Sequence, residues 1–413
     1  MPTPVSRLLL LLPTRTYRTE AFIDAATRLG VELVCASERP STLEELSPNS
    51  LVTLDFADPY GSAETIARFA RSRPIDAVVG VDDLTTVTAA AISQRLGLKA
   101  NPLPAVTTAR DKHAMRRCLA EAGVPVPRFQ LVELSDDPAR AAQKVGYPCV
   151  LKPLMLSASR GVIRANDPRE FVAAFGRIGA ILAEPDAGPP DGARRALLVE
   201  EFVPGREIAL EGLLVGGSLH VLAIFDKPDP LDGPFFEETI YVTPSRLPAP
   251  TQARVAAVTR DACSALGLTE GPIHAELRVN ERGPFVLEVA ARSIGGLCAR
   301  TLTFGTGLSL EDLILCHALG RPLESLERER RAAGVMMIPI PRAGRLVSVG
   351  GVEEARAVGA VEDVVITMHP GQEVIPLPEG WQYLGFIFAR AETPAAVEGA
   401  LREAHARLRF DIA

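Results

Sequence analysis

The chain has 413 residues, 47% hydrophobic and 23% charged, proportions ordinary for a folded globular protein and unlike a disordered or fibrous one. At roughly 150 residues per domain, the length predicts two or three domains with ample buried core. Lys and Arg number 44 against 51 Asp and Glu, a formal net charge of −7. That balance argues against a general binder of nucleic acid or of membrane surfaces, but not against a small anion held by a few local cations.

Leu8–Leu12 follows Arg7 and is closed by Pro13, Arg15 and Arg18. The run is too short for a secretory leader, so a buried strand is expected. Thr19–Leu29 reads as a helix stopped by Gly30, Val31–Cys35 as a strand and Leu51–Leu54 as another. Ala63–Ala70 reads as a helix, Ala77–Val81 as a strand and Thr85–Leu96 as a helix stopped by Gly97. Strand and helix alternate with glycine at helix ends, which predicts βαβ units and a parallel sheet. The turn Pro13-Thr14-Arg15-Thr16 lacks the glycines that bring a backbone up to a dinucleotide pyrophosphate, so an oxidoreductase of that kind is disfavoured.

Asn101-Pro102-Leu103-Pro104 reads as a hinge, and Thr107–Ala122 as a helix closed by Gly123 before Pro125 and Pro127. Between Val145 and Val215 the pattern is strand, loop, helix, strand, turn, strand, with a loop at Pro185–Gly192. The polar, proline-rich stretch Asp226–Pro250 follows the strand His220–Phe225 and is too long for a simple connector, which marks it as a candidate functional loop. Thr251–Leu266 is expected to be helical. Ile273–Val279 and Phe285–Val289 should form a hairpin around Asn280-Glu281-Arg282-Gly283, and Leu310–Leu319 another helix. Charged residues 324–331 mark a boundary. Smaller β units follow, then a last amphipathic helix capped by Thr393 with Pro394 at its first position. Cys35, Cys118, Cys149, Cys263, Cys298 and Cys316 show neither CxxC nor zinc-ligand spacing, so reduced thiols and a cytoplasmic location are expected. No run approaches the roughly 18 apolar residues of a membrane helix.

Four features carry chemistry. Lys152 ends the apolar strand Cys149–Lys152, where an ammonium needs a partner. Directly after it, Ser157, Ala158, Ser159, Arg160, Gly161 and Val162 supply small residues and hydroxyls that approach phosphate oxygens closely, as a flap would. The second feature, Glu200-Glu201-Phe202-Val203-Pro204-Gly205, is a strand entering a tight turn. Such exposed backbone holds purine bases, with Phe202 and Val203 against the ring and Glu207 beyond to accept from ribose hydroxyls. The third is Glu276 with Glu288 on adjacent strands, twelve residues apart. Carboxylates across a hairpin repel unless a cation lies between them, and their hard oxygens suit Mg²⁺, with Mn²⁺ as an alternative. Arg292 lies four residues on, a natural partner for phosphate or carboxylate. The fourth is Lys112, which taken alone reads as a solvated lysine. In the long loop, Glu237 and Glu238 beside Phe235 and Phe236 suit an ammonium-bearing substrate. His274 shares the strand face of Glu276 and reads as a packed or hydrogen-bonded histidine.

The order and spacing of these features resemble the ATP-grasp superfamily over nearly the whole chain. The resemblance implies a parallel βαβ N-terminal lobe (1–104), a central ATP-grasp domain (105–322, with a mobile flap subdomain at about 125–203) and a small α+β C-terminal domain (323–413). It implies that Lys112 and Lys152 contact the phosphates of ATP and that Ser157, Ser159 and Gly161 form the flap. Glu200, Glu201, Phe202 and Val203 would hold adenine, Glu207 the ribose, and Glu276 and Glu288 the metal. Many members have an asparagine two residues after the second metal ligand; here Ala290 stands there. The string Glu288-Val289-Ala290-Ala291-Arg292-Ser293-Ile294-Gly295-Gly296 is similar instead to the amino-acid-ligase branch. That likeness makes Arg292 the contact of the acyl-phosphate, Glu238 the holder of the substrate amino group, and Gly295 and Gly296 part of the substrate site.

The expected activity is therefore ATP-dependent ligation of a carboxylate to an amine, with ATP and Mg²⁺ as cofactors and Arg292 and Lys152 as catalytic groups. Small-molecule carboxylate and amine substrates are the expected partners, with no nucleic acid or membrane, and a homodimer is the oligomer that similar enzymes suggest. Two rivals share the fold: an enzyme activating bicarbonate, disfavoured by the serine-rich flap and Ala290, and a non-catalytic ATP-binding regulatory protein, which need not keep both lysines, both glutamates and Arg292.

Overall fold

The computed structural model describes residues 5–41, 44, 47, 49–187 and 195–413; part of the expected loop Pro185–Gly192 lies outside these. Leu8, Leu9, Leu10 and Leu11 are fully buried, because the strand Arg7–Leu11 is covered on both faces. It pairs in parallel with Glu32–Ser37 and Ala77–Gly80, and Leu51–Thr53 forms the edge beyond Glu32–Ser37. The helix Thr19–Leu29 has the expected bounds and ends at left-handed Gly30. Two others begin earlier than their apolar periodicity suggests. Asp58 caps Pro59–Ala70 by accepting from the Gly61 amide, and the third helix starts at Asp83 and runs to Leu96.

The single helix expected over Thr107–Ala122 is two, Leu103–Arg110 and Lys112–Glu121. Asp111 breaks it with extended backbone and turns its carboxylate onto the His113 and Ala114 amides, a local competition that periodicity does not register. The Asn101–Pro104 segment is pinned: Asn101 accepts from the Thr269 and Glu270 amides at 2.7 and 2.8 Å and donates to the Glu270 carbonyl at 2.7 Å.

A four-stranded antiparallel sheet follows, in the order Phe129–Glu133, Ala196–Glu201, Cys149–Pro153, Ile163–Ala165. The helix Pro168–Ala183 packs on it through Phe171, Phe175, Ile178 and Leu182. The largest sheet has eight strands in the order Gly283–Ala290, Gly271–Asn280, Arg206–Val215, Ser218–Asp226, Ile240–Thr243, Ala332–Ile338, Gly385–Ala391, Val361–Ile366. One expectation is corrected here. Asp226–Pro250 is not all loop: its four residues Ile240–Thr243 are buried in the middle of the sheet, too short a run between prolines to stand out. Three of the expected C-terminal β units extend the central sheet. Only Glu373–Val374, Gly344–Gly350 and Arg409–Ile412 pair apart from it. The last helix, Pro394–Arg407, is capped by Thr393 and lies against Gly385–Ala391 and Ala332–Ile338.

One apolar core joins one face of the parallel sheet to the helix Ala249–Leu266 and the strands Arg206–Val215 and Gly271–Asn280. A second joins the other face to the helix Leu310–Ala318 and the strands Ala332–Ile338 and Gly385–Ala391. Helices mediate between the two sheets, Leu310–Ala318 touching both Ala77–Gly80 and Gly271–Asn280, and loops that follow the parallel strands line a cleft together with the flap sheet.

Candidate active site

The cleft has a volume of about 540 Å³ and is lined by all three parts of the chain. Its floor is the hairpin Gly271–Asn280/Gly283–Ala290, in which Glu276 stands directly opposite Glu288. A register shift after Glu276 leaves Leu287 outside the pairing. Glu288 lies 3.6 Å from the Lys112 ammonium. Glu276 lies 3.0 Å from the ammonium of Lys227 and 3.5 Å from Nε2 of His274.

Lys227 escaped the sequence reading, because nothing around it there signals burial. It is 7% exposed and lies within bonding distance of Glu207 (2.9 Å), Glu238 and Glu276. The three acids form the closest carboxylate cluster among the described residues. Burial works against the Lys227 charge, yet Glu238 and Glu276 outweigh it and hold the ammonium well above its ordinary value. One ammonium cannot satisfy three carboxylates. Burial pushes Glu238 up to about 7 against the pull of Lys227, whereas Lys227 and His274 hold Glu276 down despite its burial, so of these two Glu238 retains a proton more readily. Glu207 also accepts from Arg278 at 3.0 Å.

Lys112 is the first residue of its helix, and its ammonium donates to the Leu156 carbonyl at 2.8 Å, at the root of the flap. Lys152 pairs with Glu200 at 2.6 Å. Glu200 is 2% exposed and pairs also with Arg116, whose guanidinium donates to the Val286 and Leu287 carbonyls at 2.7 Å each. Burial alone would raise the Glu200 carboxyl, but the Arg116 and Lys152 charges hold it below its usual value. Glu200 therefore serves as the buried partner of Lys152. Arg116 is a second residue missed from sequence, where it reads as one more helical arginine.

In the flap, Ala158 and Ser159 both adopt left-handed backbone (φ 54° and 56°). Two such non-glycine residues in succession are strained, a feature that clusters at ligand sites. Gly161 (φ 72°) lets the flap return over Pro153, since a Cβ there would lie 2.7 Å from the Pro153 Cγ. Its amide donates to the Pro378 carbonyl at 2.8 Å. At the hinge, Gly205 (φ 125°) leaves no room for a Cβ, which would sit 2.4 Å from the Val279 carbonyl oxygen. Phe202 is flanked by the guanidinium groups of Arg164 and Arg278, 4.0 and 4.9 Å from its ring centre. Val203 is buried, and Glu201 pairs with Arg128 at 2.6 Å.

Arg292 donates to Asp83 at 2.9 Å and to the Ser293 carbonyl at 3.0 Å. The loop behind it is clamped by two buried charges. Glu211 accepts from the Ile294 amide at 3.0 Å, while Arg18 donates to the Ile294 carbonyl at 2.6 Å and pairs with Glu311 at 2.7 Å. Glu211 also bonds Nδ1 of His274. Burial works against the imidazolium, but Glu211 overrides it and raises His274 to about 9. Gly295 and Gly296 line the cleft, and among the described residues neither amide donates a hydrogen bond.

The structure thus gathers Lys112, Lys152, Ser157, Ser159, the hinge, Glu207, Glu238, Glu276, Glu288, Arg292 and the glycine pair around one cleft, whereas the expected flap residue Gly161 is buried outside its lining. Asp83 lines it too, while Lys227, Arg116, Glu211 and Arg18 stand behind it as partners of the lining residues Glu238, Glu200 and Ile294. Three family models match the chain: an ATP-grasp N-terminal domain at residues 23–99, an ATP-grasp domain at 145–301 and an L-amino acid ligase C-terminal domain at 336–413. An L-amino acid ligase from Bacillus licheniformis has a similar solved structure, with a TM-score of 0.81 and 26% identity over the whole of both chains. Alanine–anticapsin ligase of Bacillus subtilis is 28% identical over 61% of this chain and 56% of its own length, so the chain spans a little over half of that relative. Dapdiamide A synthase of Enterobacter agglomerans is 29% identical over 71% of this chain and 70% of its own. Fold, site and matches make the chain an ATP-grasp protein, in the class of ATP-dependent ligases that form an amide or peptide bond. Within that class it belongs with the L-amino-acid-ligase-like proteins.

Proposed function

We propose that the protein joins the carboxylate of one amino acid to the amine of a second. The carboxylate attacks the γ-phosphate of ATP, giving an acyl-phosphate and ADP. The amine then attacks the acyl carbon, phosphate leaves, and the amine proton is released. The observation that carries this reading is the gathering of Lys112, Lys152, the cross-strand Glu276–Glu288 pair and Arg292, with Gly295 and Gly296, around one cleft, Lys112 lying 3.6 Å from Glu288.

Positioning and charge neutralisation dominate such chemistry, because little covalent work falls to the protein. Lys112 and Lys152 neutralise phosphate oxygens, and the hinge from Glu200 to Val203 receives the base, with Glu207 toward the ribose. Arg292, with the Gly295 and Gly296 amides, stabilises the negative oxygen that develops as the amine adds. Glu238, beside aromatic Tyr241 and Tyr383, faces the amino group of the first substrate. The flap residues Ser157, Ser159 and Gly161 cover the phosphates and exclude water, which would otherwise hydrolyse the acyl-phosphate.

The donor set also fits a divalent cation: two hard carboxylates face each other, with Glu276 and Glu288 side chains 22% and 25% exposed to the cleft. Mg²⁺, or Mn²⁺ in its place, would be held there and would supply charge neutralisation to the transferring phosphate. Ala290 offers no side-chain oxygen to a second ion. The domain division 1–104, 105–322 and 323–413 belongs to the same reading, supported by the three family matches falling one within each part. So does a cytoplasmic enzyme, supported by six free cysteines, and a homodimer, which sedimentation would test.

A phosphate-release screen over paired amino acids, with mass spectrometry of the products, tests the activity. An amide product with one phosphate per bond is expected. Phosphate release driven by bicarbonate without any amine, or ATP binding with no turnover across the panel, would overturn it.

A further inference from the structure

Asp83 joins three parts of the molecule at one atom. It is the first residue of the helix Asp83–Leu96, so its backbone is fixed to the N-terminal parallel sheet. Its Oδ2 accepts from the Ser157 hydroxyl at 2.9 Å and from the Arg292 guanidinium at 2.9 Å. Ser157 belongs to the flap, and Arg292 to the loop leaving the floor hairpin. The Asp83 and Arg292 side chains are only 12% and 13% exposed, so this is no solvated surface pair. In this arrangement the flap lies down on the N-terminal lobe, and the short serine side chain brings its hydroxyl to Asp83. On its other side the flap is fastened to the C-terminal part: Arg160 donates to the Glu379 carbonyl at 2.9 Å, and Arg177 grips the Glu379 carboxylate at 2.6 and 2.9 Å.

We infer that Asp83 is a positioning residue that makes the placement of Arg292 depend on flap closure. With the flap down, one carboxylate oxygen is held by two donors, and its direction, hence that of Arg292, is fixed. With the flap raised, the hydroxyl is lost, the carboxylate regains rotation about its last bond, and Arg292 moves with it. Arg292 is then aligned on an acyl-phosphate only when water is shut out. This rests on the proposed ligation for its consequence, though not for its geometry.

Asp83→Asn keeps the size of the side chain and removes its charge. Expected for this variant are amide formation slowed by roughly tenfold or more, an ATP KM changed by less than about twofold, and several phosphates released per amide instead of about one. Ser157→Ala should shift the phosphate-to-amide ratio the same way, and adding it to Asp83→Asn should add little. An unchanged ratio in Asp83→Asn overturns the inference, as does a fall in turnover that merely tracks the melting temperature. A normal ratio in Ser157→Ala overturns the coupling, since Asp83 would then act on Arg292 without the flap. Hydrogen exchange of residues 155–162 with a non-hydrolysable ATP analogue and Mg²⁺ gives an arm independent of turnover. Protection in the wild type that is lost in Asp83→Asn supports the inference, and equal protection overturns it. If the wild-type protein makes no amide from any pair, the ligase reading falls while this exchange arm still decides the coupling.

Discussion

The two cleft lysines have different partners, Lys112 lying 3.6 Å from Glu288 and Lys152 2.6 Å from Glu200. Lys152 rests on Glu200, a fully buried carboxylate that it shares with Arg116. Lys152→Ala and Glu288→Ala should each abolish ligation with the far-ultraviolet circular dichroism unchanged, because both side chains serve the cleft; near-wild-type turnover in either would sink the site. Glu200→Gln is a different case. It strands two buried cations, and breaking such a network destabilises by roughly 3–5 kcal/mol, measurable by urea unfolding at pH 7. The sign of its pH dependence follows from the held-down carboxyl. Stability from a depressed acid is present above its unfolded value of 4.5 and fades as pH falls toward and through the folded one. The gap between wild type and Glu200→Gln should therefore narrow below about pH 4.5; a constant gap would mean that the Glu200 charge contributes nothing.

Helix ends and glycine turns set these side chains in place. Asp111 ends one helix and caps the next, which puts Lys112 at the first turn beside the flap root. Asp111→Ala should lower stability by about 1 kcal/mol through the lost cap and also raise the KM for ATP. An unchanged KM at the lowered stability would separate the cap from the site. Gly161→Ala forces a side chain into left-handed backbone and into Pro153. Binding of an ATP analogue should weaken at least several-fold by calorimetry, because the flap can no longer lie over the strand that carries Lys152. The helices were legible from their apolar period and stop glycines, but the break at Asp111 was not, since a side chain bonding its own backbone leaves the period intact. The strand Ile240–Thr243 was hidden for another reason: its four residues carry meaning only through neighbours at 226 and 336.

Over the whole molecule, the cores cross the boundaries between the three parts, so the parts should not melt alone. The buried Arg18 binds Glu311 and the Ile294 carbonyl, nearly three hundred residues away. A single calorimetric transition is expected, and an ATP analogue with Mg²⁺ at a hundredfold over its Kd should add about 2.7 kcal/mol, a rise of a few degrees. Two separated transitions, with only one shifted, would contradict the shared core. The same crossing explains why Arg18, Asp83 and Glu211 were illegible. Each is a single charged residue whose partner lies far along the chain, and no local pattern marks it.

By itself the sequence determined the alternation of the first lobe, the hairpin that sets Glu276 against Glu288, the strand that carries Lys152, and the turns at Ser157–Gly161 and Pro204–Gly205. These rest on local chemistry: side-chain period, glycine and proline turns, and the cost of placing a charge in an apolar run. Only the tertiary structure decided which charges meet. It gave Lys227 three carboxylates, gave Lys152 a buried counter-ion, carried the C-terminal strands into the central sheet and set Asp83 between the flap and Arg292. Long-range pairing of buried charges depends on the packing of distant elements, and that packing is a property of the folded whole rather than of any stretch of chain.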